Sequence, residues 1–117
     1  MKELIEINTL EEFEKNISDS QITNNTVIFK YSPYCTISFV ADNVIKLWFK
    51  RMEDDTDVRI LKVNVISARP LSNGIAEKYK IRHESPQLIW LNKSGEVKWQ
   101  GSHHRITEEI LNSNLEV

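Results

Sequence analysis

The sequence of 117 residues carries 15 basic and 17 acidic side chains and a single cysteine, Cys35. A chain of this length predicts one domain, residues 1–117, with enough buried surface to fold without disulfides or structural metals. The net charge of −2 argues against nucleic acid and anionic membranes as partners, and one cysteine excludes an internal disulfide and a redox cycle between two thiols of the same chain.

The N-terminal segment and the apolar runs bear on localisation. The segment MKELIEINTLEEF has acidic residues where a secretory signal needs a basic stretch followed by a long apolar one. No apolar run elsewhere approaches the length needed to cross a membrane. We therefore expect a cytoplasmic protein, in a compartment that keeps thiols reduced.

Hydrophobic periodicity predicts alternating strands and helices in the order βαβαβαββα. The predicted strands are Leu4–Ile7, Thr26–Tyr31, Val58–Ile66, Leu88–Leu91 and Glu96–Gln100. The predicted helices are one capped by Thr9, a long one that begins at Cys35, one with Pro70 in its first turn, and Thr107–Leu115. Crossover helices make the early strands parallel, whereas the Asn92–Gly95 turn makes the last two an antiparallel hairpin. The sequence thus predicts an α/β fold, with a mixed central sheet and helices on both faces.

Cys35 directly follows a predicted strand and opens the long helix, at the end of an α/β sheet where ligands gather. A thiol with a pKa of about 8.5 is only roughly 3% thiolate at pH 7, so it needs activation to act as a nucleophile. The helix N-terminus, the N–H groups of Ile37 and Ser38 and the Ser38 hydroxyl would supply that activation. The alternative is that Cys35 is a small buried apolar residue.

Several motifs carry a resemblance to a known family. The Cys35–Ser38 segment, placed between a strand and a helix, resembles the thioredoxin superfamily active site in its monothiol form. More narrowly, three segments look like the monothiol bacilliredoxin (YtxJ-like) family: Cys35 with Ile37-Ser38, the HESPQ segment His83–Gln87, and Ser102-His103 leading into Ile106–Glu109. This resemblance covers nearly the whole chain, from about Ile5 to Leu111.

The resemblance implies a thioredoxin-like fold and an enzyme of thiol exchange. Its co-substrate would be bacillithiol, the cysteinyl glucosaminyl malate, and no bound cofactor is implied. Cys35 would attack the mixed disulfide on a bacillithiolated client protein, take the bacillithiol onto itself and release the client as a thiol. Ser38 occupies the resolving position, where it can stabilise the thiolate but cannot resolve a disulfide. A second low-molecular-weight thiol would then discharge Cys35.

Two departures from the family pattern bear on Cys35. The family usually has proline after the cysteine, whereas Thr36 restores a possible donor and a more flexible turn, so the effect on reactivity stays open in direction. The segment Ser32–Cys35 also reads like a dithiol glutaredoxin site whose first cysteine is lost, which would make Cys35 the resolving residue. We favour the nucleophile, because the seven residues from Ile28 to Cys35 match the spacing from strand to nucleophile in thioredoxins.

The remaining candidates surround the predicted nucleophile. The Ser85-Pro86 bond is predicted to be cis, in a loop that faces Cys35 and forms a substrate groove with Tyr34, Thr36 and Ile37. Lys30 and Arg82 are interpreted as surface cations that flank the site and could meet the malate carboxylates of bacillithiol. His83 either polarises the thiol and contacts substrate or is merely solvated.

Two further alternatives are a metal site in place of a thiol site and a binding module in place of an enzyme. A zinc site formed by His83, His103 and His104 with Cys35 is one alternative, but the spacing lacks a paired ligand motif, so no metal is predicted. The alternative to the enzyme is a redox-silent module of the same fold, which would hold a protein partner in the groove beside Pro86. Trp48, Trp90 and Trp99 are predicted to pack in the core or on the sheet.

Overall fold

The computed structural model describes residues 1–18 and 23–116; residues 19–22 and 117 of the predicted domain lie outside the described residues. Within those residues, strands and helices follow the predicted order βαβαβαββα, with a one-turn 3₁₀ helix before the last helix. The strands are β1 (Glu3–Glu6), β2 (Thr26–Tyr31), β3 (Arg59–Asn64), β4 (Gln87–Leu91) and β5 (Val97–Ser102). The helices are α1 (Leu10–Ser18), α2 (Thr36–Arg51), α3 (Arg69–Tyr79) and α4 (Glu108–Asn114), and the 3₁₀ turn is His103–Arg105.

Side-chain hydrogen bonds set some of these bounds. The apolar run predicted a strand as far as Ile66, but β3 ends at Asn64. The Asn64 Oδ1 accepts hydrogen bonds from the backbone N–H groups of Ile66 and Ser67, at 3.0 and 3.1 Å. An asparagine side chain that bonds the backbone two residues on turns the chain, so it stops the strand despite the apolar residues that follow.

The strands form one mixed sheet in the order β1-β3-β2-β4-β5. β3 is parallel to both β1 and β2, whereas β4 is antiparallel to both β2 and β5. The predicted turn closes the β4–β5 hairpin: Gly95 takes a φ of 82°, and Asn92 Oδ1 accepts from the N–H groups of Ser94 and Glu96. The predicted mixed sheet is confirmed, and β2 is its central strand.

The helices cover both faces of the sheet. α2 and α4 pack on one face, over a core that contains Phe29, Trp48 and Trp90. α1 and α3 pack on the other face, over Phe13 and Ile75 among others. Burial of these large side chains is the main stabilising contribution, at roughly 1.5–3 kcal/mol for each fully buried apolar side chain.

The tryptophans lie as predicted. Trp48 and Trp90 are 2% and 0% exposed, and their rings meet edge to face with centroids 5.8 Å apart. The Trp48 Nε1–H donates to Asn112 Oδ1 at 2.9 Å, which ties α2 to α4. Trp99 is half-buried on β5, with Arg105 over its ring.

This topology places three connections at one end of the sheet. The segment after β2 leads into α2, the loop before β4 arrives beside it, and the 3₁₀ turn follows β5. Because β2 and β4 are hydrogen-bonded neighbours, residues 32–38 and 82–86 must lie close together. No helix in the described part of the chain is both long and apolar enough to cross a membrane.

Candidate active site

Cys35 is the N-cap residue of α2. Its backbone is extended, with φ −112° and ψ 126°, its N–H donates to Ser32 O at 3.4 Å, and its carbonyl accepts from Phe39 N at 3.0 Å. The side chain is half-exposed. The buried-core alternative is therefore wrong, and the long helix begins directly after the cysteine, as a nucleophile at this position requires.

The environment of the sulfur favours the thiolate. The backbone N–H of Ser38 has the largest effect in lowering the pKa of Cys35, followed by the N–H of Ile37; burial opposes them, and the Ser38 hydroxyl adds a further donor. These are first-turn N–H groups, which have no partner within the helix and thus remain free for an anion at the cap. The donors around Cys35 therefore favour its thiolate over its thiol.

Thr36 is not among the donors that lower the pKa of Cys35. It is exposed and opens the helix. The extended backbone of Cys35 also lies within the range that a residue before proline adopts. Threonine in place of the family proline therefore leaves the donors of the sulfur intact.

We predict that Thr36→Pro keeps the lowered pKa of Cys35 and stabilises the protein by about 0.4–1 kcal/mol, because proline restricts the unfolded chain at a compatible site. The matched variant Ser38→Ala removes a hydroxyl donor and should raise the pKa of Cys35 relative to the unmodified chain. The pH dependence of iodoacetamide alkylation measures both pKa values, and thermal unfolding measures stability. A rise in the pKa for Thr36→Pro would contradict the assignment of the donors.

Ser38 connects α2 to the loop that precedes β4. It is 1% exposed, and its Oγ accepts from Ser32 N at 3.0 Å and lies 3.4 Å from Ser85 Oγ. The Ser85-Pro86 bond is cis, as predicted. The Ser38 hydroxyl also contributes to lowering the pKa of Cys35, so the same buried side chain acts on the thiol and contacts the cis-proline loop.

The cis-proline loop is held from its other side by β5 and the 3₁₀ turn. The Pro86 carbonyl accepts from His103 N at 3.0 Å, and Ser102 Oγ donates to Glu84 Oε2 at 2.6 Å. His103 takes a φ of 54°, in the left-handed region that histidine visits more often than most residues. The sequence predicted the loop but not these two hydrogen bonds, which fix it to β5 and to the 3₁₀ turn.

Apolar side chains surround the thiol. Tyr34 is 89% exposed and lines, with Cys35, Thr36 and Phe39 among others, a shallow cavity of about 240 Å³. On the other side, Thr36 and Ile37 open a groove of about 350 Å³ between α2 and the segment 103–108. Of the predicted groove residues, Tyr34, Thr36 and Ile37 are thus exposed beside Cys35 and Ser85 is partly exposed. Pro86 is instead buried, because it leads directly into β4, which lies between β2 and β5.

The prediction of Lys30 as a surface cation that meets substrate is wrong. Its side chain is 0% exposed, although it is charged. Lys30 Nζ donates to Ser72 O at 2.9 Å and lies 3.4 Å from His83 Nδ1, and burial lowers its pKa to about 8. β2 is flanked by a strand on each side and by helices on both faces, so its side chains from Thr26 to Lys30 are buried.

Arg82 and His83 lie at the surface, in the loop before the cis-proline. The carbonyl of Arg82 accepts from Gln87 Nε2 at 3.0 Å. His83 is more than solvated, because its Nδ1 also lies 3.2 Å from Ser72 Oγ. Within residues 1–18 and 23–116, no three His, Cys, Asp or Glu side chains group closely enough to hold a metal ion.

Sequence reasoning missed Ser72 and Gln87, which join Lys30 in a buried polar cluster beneath the loop. One signal was present: the strand TVIFKY is apolar except at its ends and at Lys30, which is typical of a strand buried on both faces. A lysine inside such a strand should have been interpreted as buried and hydrogen-bonded.

The chain is similar to known proteins over nearly its whole length. Residues 5–111 match the family described as monothiol bacilliredoxin BrxC. A solved protein with a thioredoxin fold is 30% identical, with a TM-score of 0.78, and the match covers 97% of this chain and 94% of the other.

Two thioredoxins are similar at lower identity. The thioredoxin pre-protein of Schistosoma mansoni has a TM-score of 0.72 at 16% identity, covering 97% of this chain and 95% of its own. The thioredoxin of Fasciola hepatica has a TM-score of 0.71 at 17% identity, covering 94% of each chain. At such identities the similarity concerns the fold alone, and the thioredoxin-like fold implied by the sequence motifs is confirmed.

Proposed function

The chain belongs to the monothiol bacilliredoxin family of the thioredoxin superfamily, and from that premise we propose that it removes bacillithiol from client proteins through a mixed disulfide on Cys35. The family and the fold indicate a thiol oxidoreductase; the choice of bacillithiol is our proposal. One observation carries the proposal that the chain works as a monothiol enzyme. The only cysteine of the chain has a lowered pKa and a serine one helical turn further on, so the second thiol of the reaction must come from solution.

The proposed reaction is two successive thiol–disulfide exchanges. The Cys35 thiolate attacks the bacillithiol sulfur of the mixed disulfide, the bond between that sulfur and the client sulfur breaks, and the client leaves as a thiolate that takes a proton from water. A second low-molecular-weight thiol then attacks the bacillithiol sulfur held on Cys35. It leaves as a disulfide with bacillithiol, and the Cys35 thiolate is restored. We propose that this takes place in the cytoplasm, where small thiols are kept reduced.

The surroundings of Cys35 support a division of the substrate into two parts. The exposed apolar side chains of Tyr34 and Ile37 suit contact with a client protein, and the fixed backbone at Ser85-Pro86 suits pairing with an extended client segment. For the bacillithiol part of the substrate, the exposed Arg82 is the remaining candidate cation for the malate carboxylates, because Lys30 is buried.

A second candidate function, the redox-silent binding module, is favoured by the apolar groove of about 350 Å³ between α2 and residues 103–108. This groove lies beside Thr36 and Ile37 rather than beside Pro86 as the sequence predicted. A redox-silent module could use this groove to hold a partner without any chemistry at Cys35. The two candidates differ in one respect that can be measured directly, namely whether Cys35 becomes modified when a client is released.

Mass spectrometry after incubation of the reduced protein with a bacillithiolated client tests the proposal. We expect a bacillithiol adduct on Cys35 and an equal amount of client freed as thiol. The same client carrying glutathione should react more slowly if the small thiol is recognised. An unmodified chain beside an unchanged client that co-purifies with it would favour the binding module, and equal rates with both small thiols would remove bacillithiol as the preferred substrate.

A further inference from the structure

A buried polar cluster lies on the face of the sheet opposite to α2. Lys30 and Ser72 are 0% and 1% exposed, and both approach the same atom, His83 Nδ1. The Lys30 Nζ lies 3.4 Å from that nitrogen and the Ser72 Oγ lies 3.2 Å from it, while Nζ also donates to the Ser72 carbonyl at 2.9 Å. None of the ion pairs in the described residues includes Lys30. Its charge is therefore directed at hydrogen-bond acceptors rather than at a carboxylate.

The donors at His83 Nδ1 determine where the imidazole proton lies. A lysine ammonium donates hydrogen bonds and accepts none, and burial lowers the pKa of Lys30 only to about 8, so it is mostly charged at pH 7. A proton on Nδ1 would place two donors against each other. Nδ1 must therefore present its lone pair, which the Lys30 ammonium and the Ser72 hydroxyl share, and the ring proton lies on Nε2.

Burial and the nearby positive charges favour the neutral form of His83. Burial has the largest effect in lowering the pKa of His83, and the positive charges of Lys30 and Arg69 lower it further, whereas Glu84 raises it. The imidazole is thus held neutral as well as in one tautomer, so it offers a single uncharged donor.

The outward side of the ring carries this donor. Nδ1 faces the buried cluster and the residue as a whole is exposed, so Nε2–H points away from the sheet. The loop beneath it is fixed, because Gln87 Nε2 donates to the Arg82 carbonyl at 3.0 Å and Gln87 is the cross-strand partner of Lys30. Lys30 on β2 therefore contacts the His83 ring, and Gln87 on the adjacent strand β4 holds the backbone just before it.

His83 also lies at the rim of the thiol site. It stands two residues before Ser85, whose hydroxyl is 3.4 Å from that of Ser38, a residue that lowers the pKa of Cys35. Two residues span at most about 7 Å, so the backbone of His83 lies close to the part of the loop that contacts Ser38.

We propose that Lys30 and Ser72 are positioning residues that hold His83 as the neutral Nε2–H tautomer, and that this N–H donates to an oxygen of the small thiol when it is disulfide-linked to Cys35. The tautomer is independent of the proposed function, whereas the contact with the small thiol rests on it. A carboxylate or an amide carbonyl would serve as the acceptor, and bacillithiol carries both.

Nitrogen NMR of the uniformly ¹⁵N-labelled full chain tests the tautomer without any substrate. At pH 7 we expect His83 Nδ1 to have the shift of an unprotonated nitrogen and Nε2 that of a protonated one. Lys30→Met and Ser72→Ala should each move these shifts toward a tautomer mixture, while the signals of His103 and His104 stay where they are. A protonated Nδ1 in the unmodified chain would overturn the proposal, whether or not the variants fold.

Two adducts on Cys35 test the contact with the small thiol. Bacillithiol disulfide and cystamine each load Cys35 by exchange, with release of one equivalent of small thiol, but only the first brings carboxylate and amide oxygens. We expect the His83 Nε2–H proton signal to move downfield in the bacillithiol adduct and to stay in place in the cysteamine adduct.

The other outcomes separate the two proposals. An equal response to both adducts, or a response only to a mixed disulfide with a cysteine peptide blocked at both ends, would overturn the contact with the small thiol; the latter would assign the donor to a client carbonyl. Failure of Cys35 to form any adduct would count against the proposed function, while the tautomer of the unmodified chain would still be decided by its own spectrum.

Discussion

Replacing Cys35 with serine is expected to abolish the transfer of bacillithiol from a client protein. A serine hydroxyl does not ionise near neutral pH and the chain has no other cysteine, so the rate should fall to the uncatalysed background, a loss on the order of 10³-fold or more. The measurement is the rate at which a bacillithiolated client regains its free thiol. In the unmodified chain this rate should fall as the pH falls through the lowered pKa of Cys35, because the thiolate is then lost.

The same substitution provides its own control for folding. The main-chain bonds from Cys35 N to Ser32 O and from Phe39 N to Cys35 O survive it, and serine is a favoured N-cap residue. The melting temperature of Cys35→Ser should therefore equal or exceed that of the unmodified chain. Undiminished transfer by this folded variant would show that the chemistry does not pass through Cys35.

The order of elements and the position of the nucleophile could be predicted because their signals are local. The period of apolar residues distinguishes strands from helices, and the motif around Cys35 lies on one turn between a strand and a helix. The cis bond before Pro86 was predicted on the same basis, from the segment that contains it. The predicted ends of strands were less accurate. β3 stops at Asn64 because the side chain of this residue turns the chain, although the apolar run continues beyond it.

The environment of Lys30 could not be predicted in the same way. Its burial follows from the rank of β2 in the sheet, the second strand in sequence but the middle one in space. Its partners come from α3 and from the loop before β4, 42 and 53 residues further along the chain. Such a cluster depends on contacts between elements that are distant in sequence, and no local pattern in any one of them indicates those contacts. The hydrogen bond from His103 N to the Pro86 carbonyl is of the same kind.

Ser38→Cys is expected to change the product of the reaction rather than only its rate. Ser38 lies one helical turn after Cys35 and its hydroxyl contributes to lowering the pKa of that thiol, so we expect a thiol in its place to reach a disulfide formed at Cys35. The introduced thiolate would attack Cys35, form a disulfide within the chain and release the bacillithiol. An intramolecular thiol competes at an effective concentration on the order of mM or more, so the Cys35 adduct should no longer accumulate.

Intact-mass spectrometry distinguishes the two products. The unmodified chain should carry the mass of one bacillithiol, whereas Ser38→Cys should be lighter than its reduced form by the two lost hydrogen atoms. Some loss of stability, about 1 kcal/mol, is expected because the backbone N–H of Ser32 exchanges an oxygen acceptor for a weaker sulfur one.

The matched control adds a second thiol where it cannot reach Cys35. Ser18 is exposed at the end of α1, which packs on the face of the sheet opposite to α2. α1 leads into the start of β2 and Cys35 follows the end of β2, so the two positions also lie at opposite ends of that strand. Ser18→Cys should therefore keep the bacillithiol adduct on Cys35. If Ser38→Cys kept it equally, position 38 would not face the sulfur, and the serine at the resolving position would no longer explain why this chain works with one thiol.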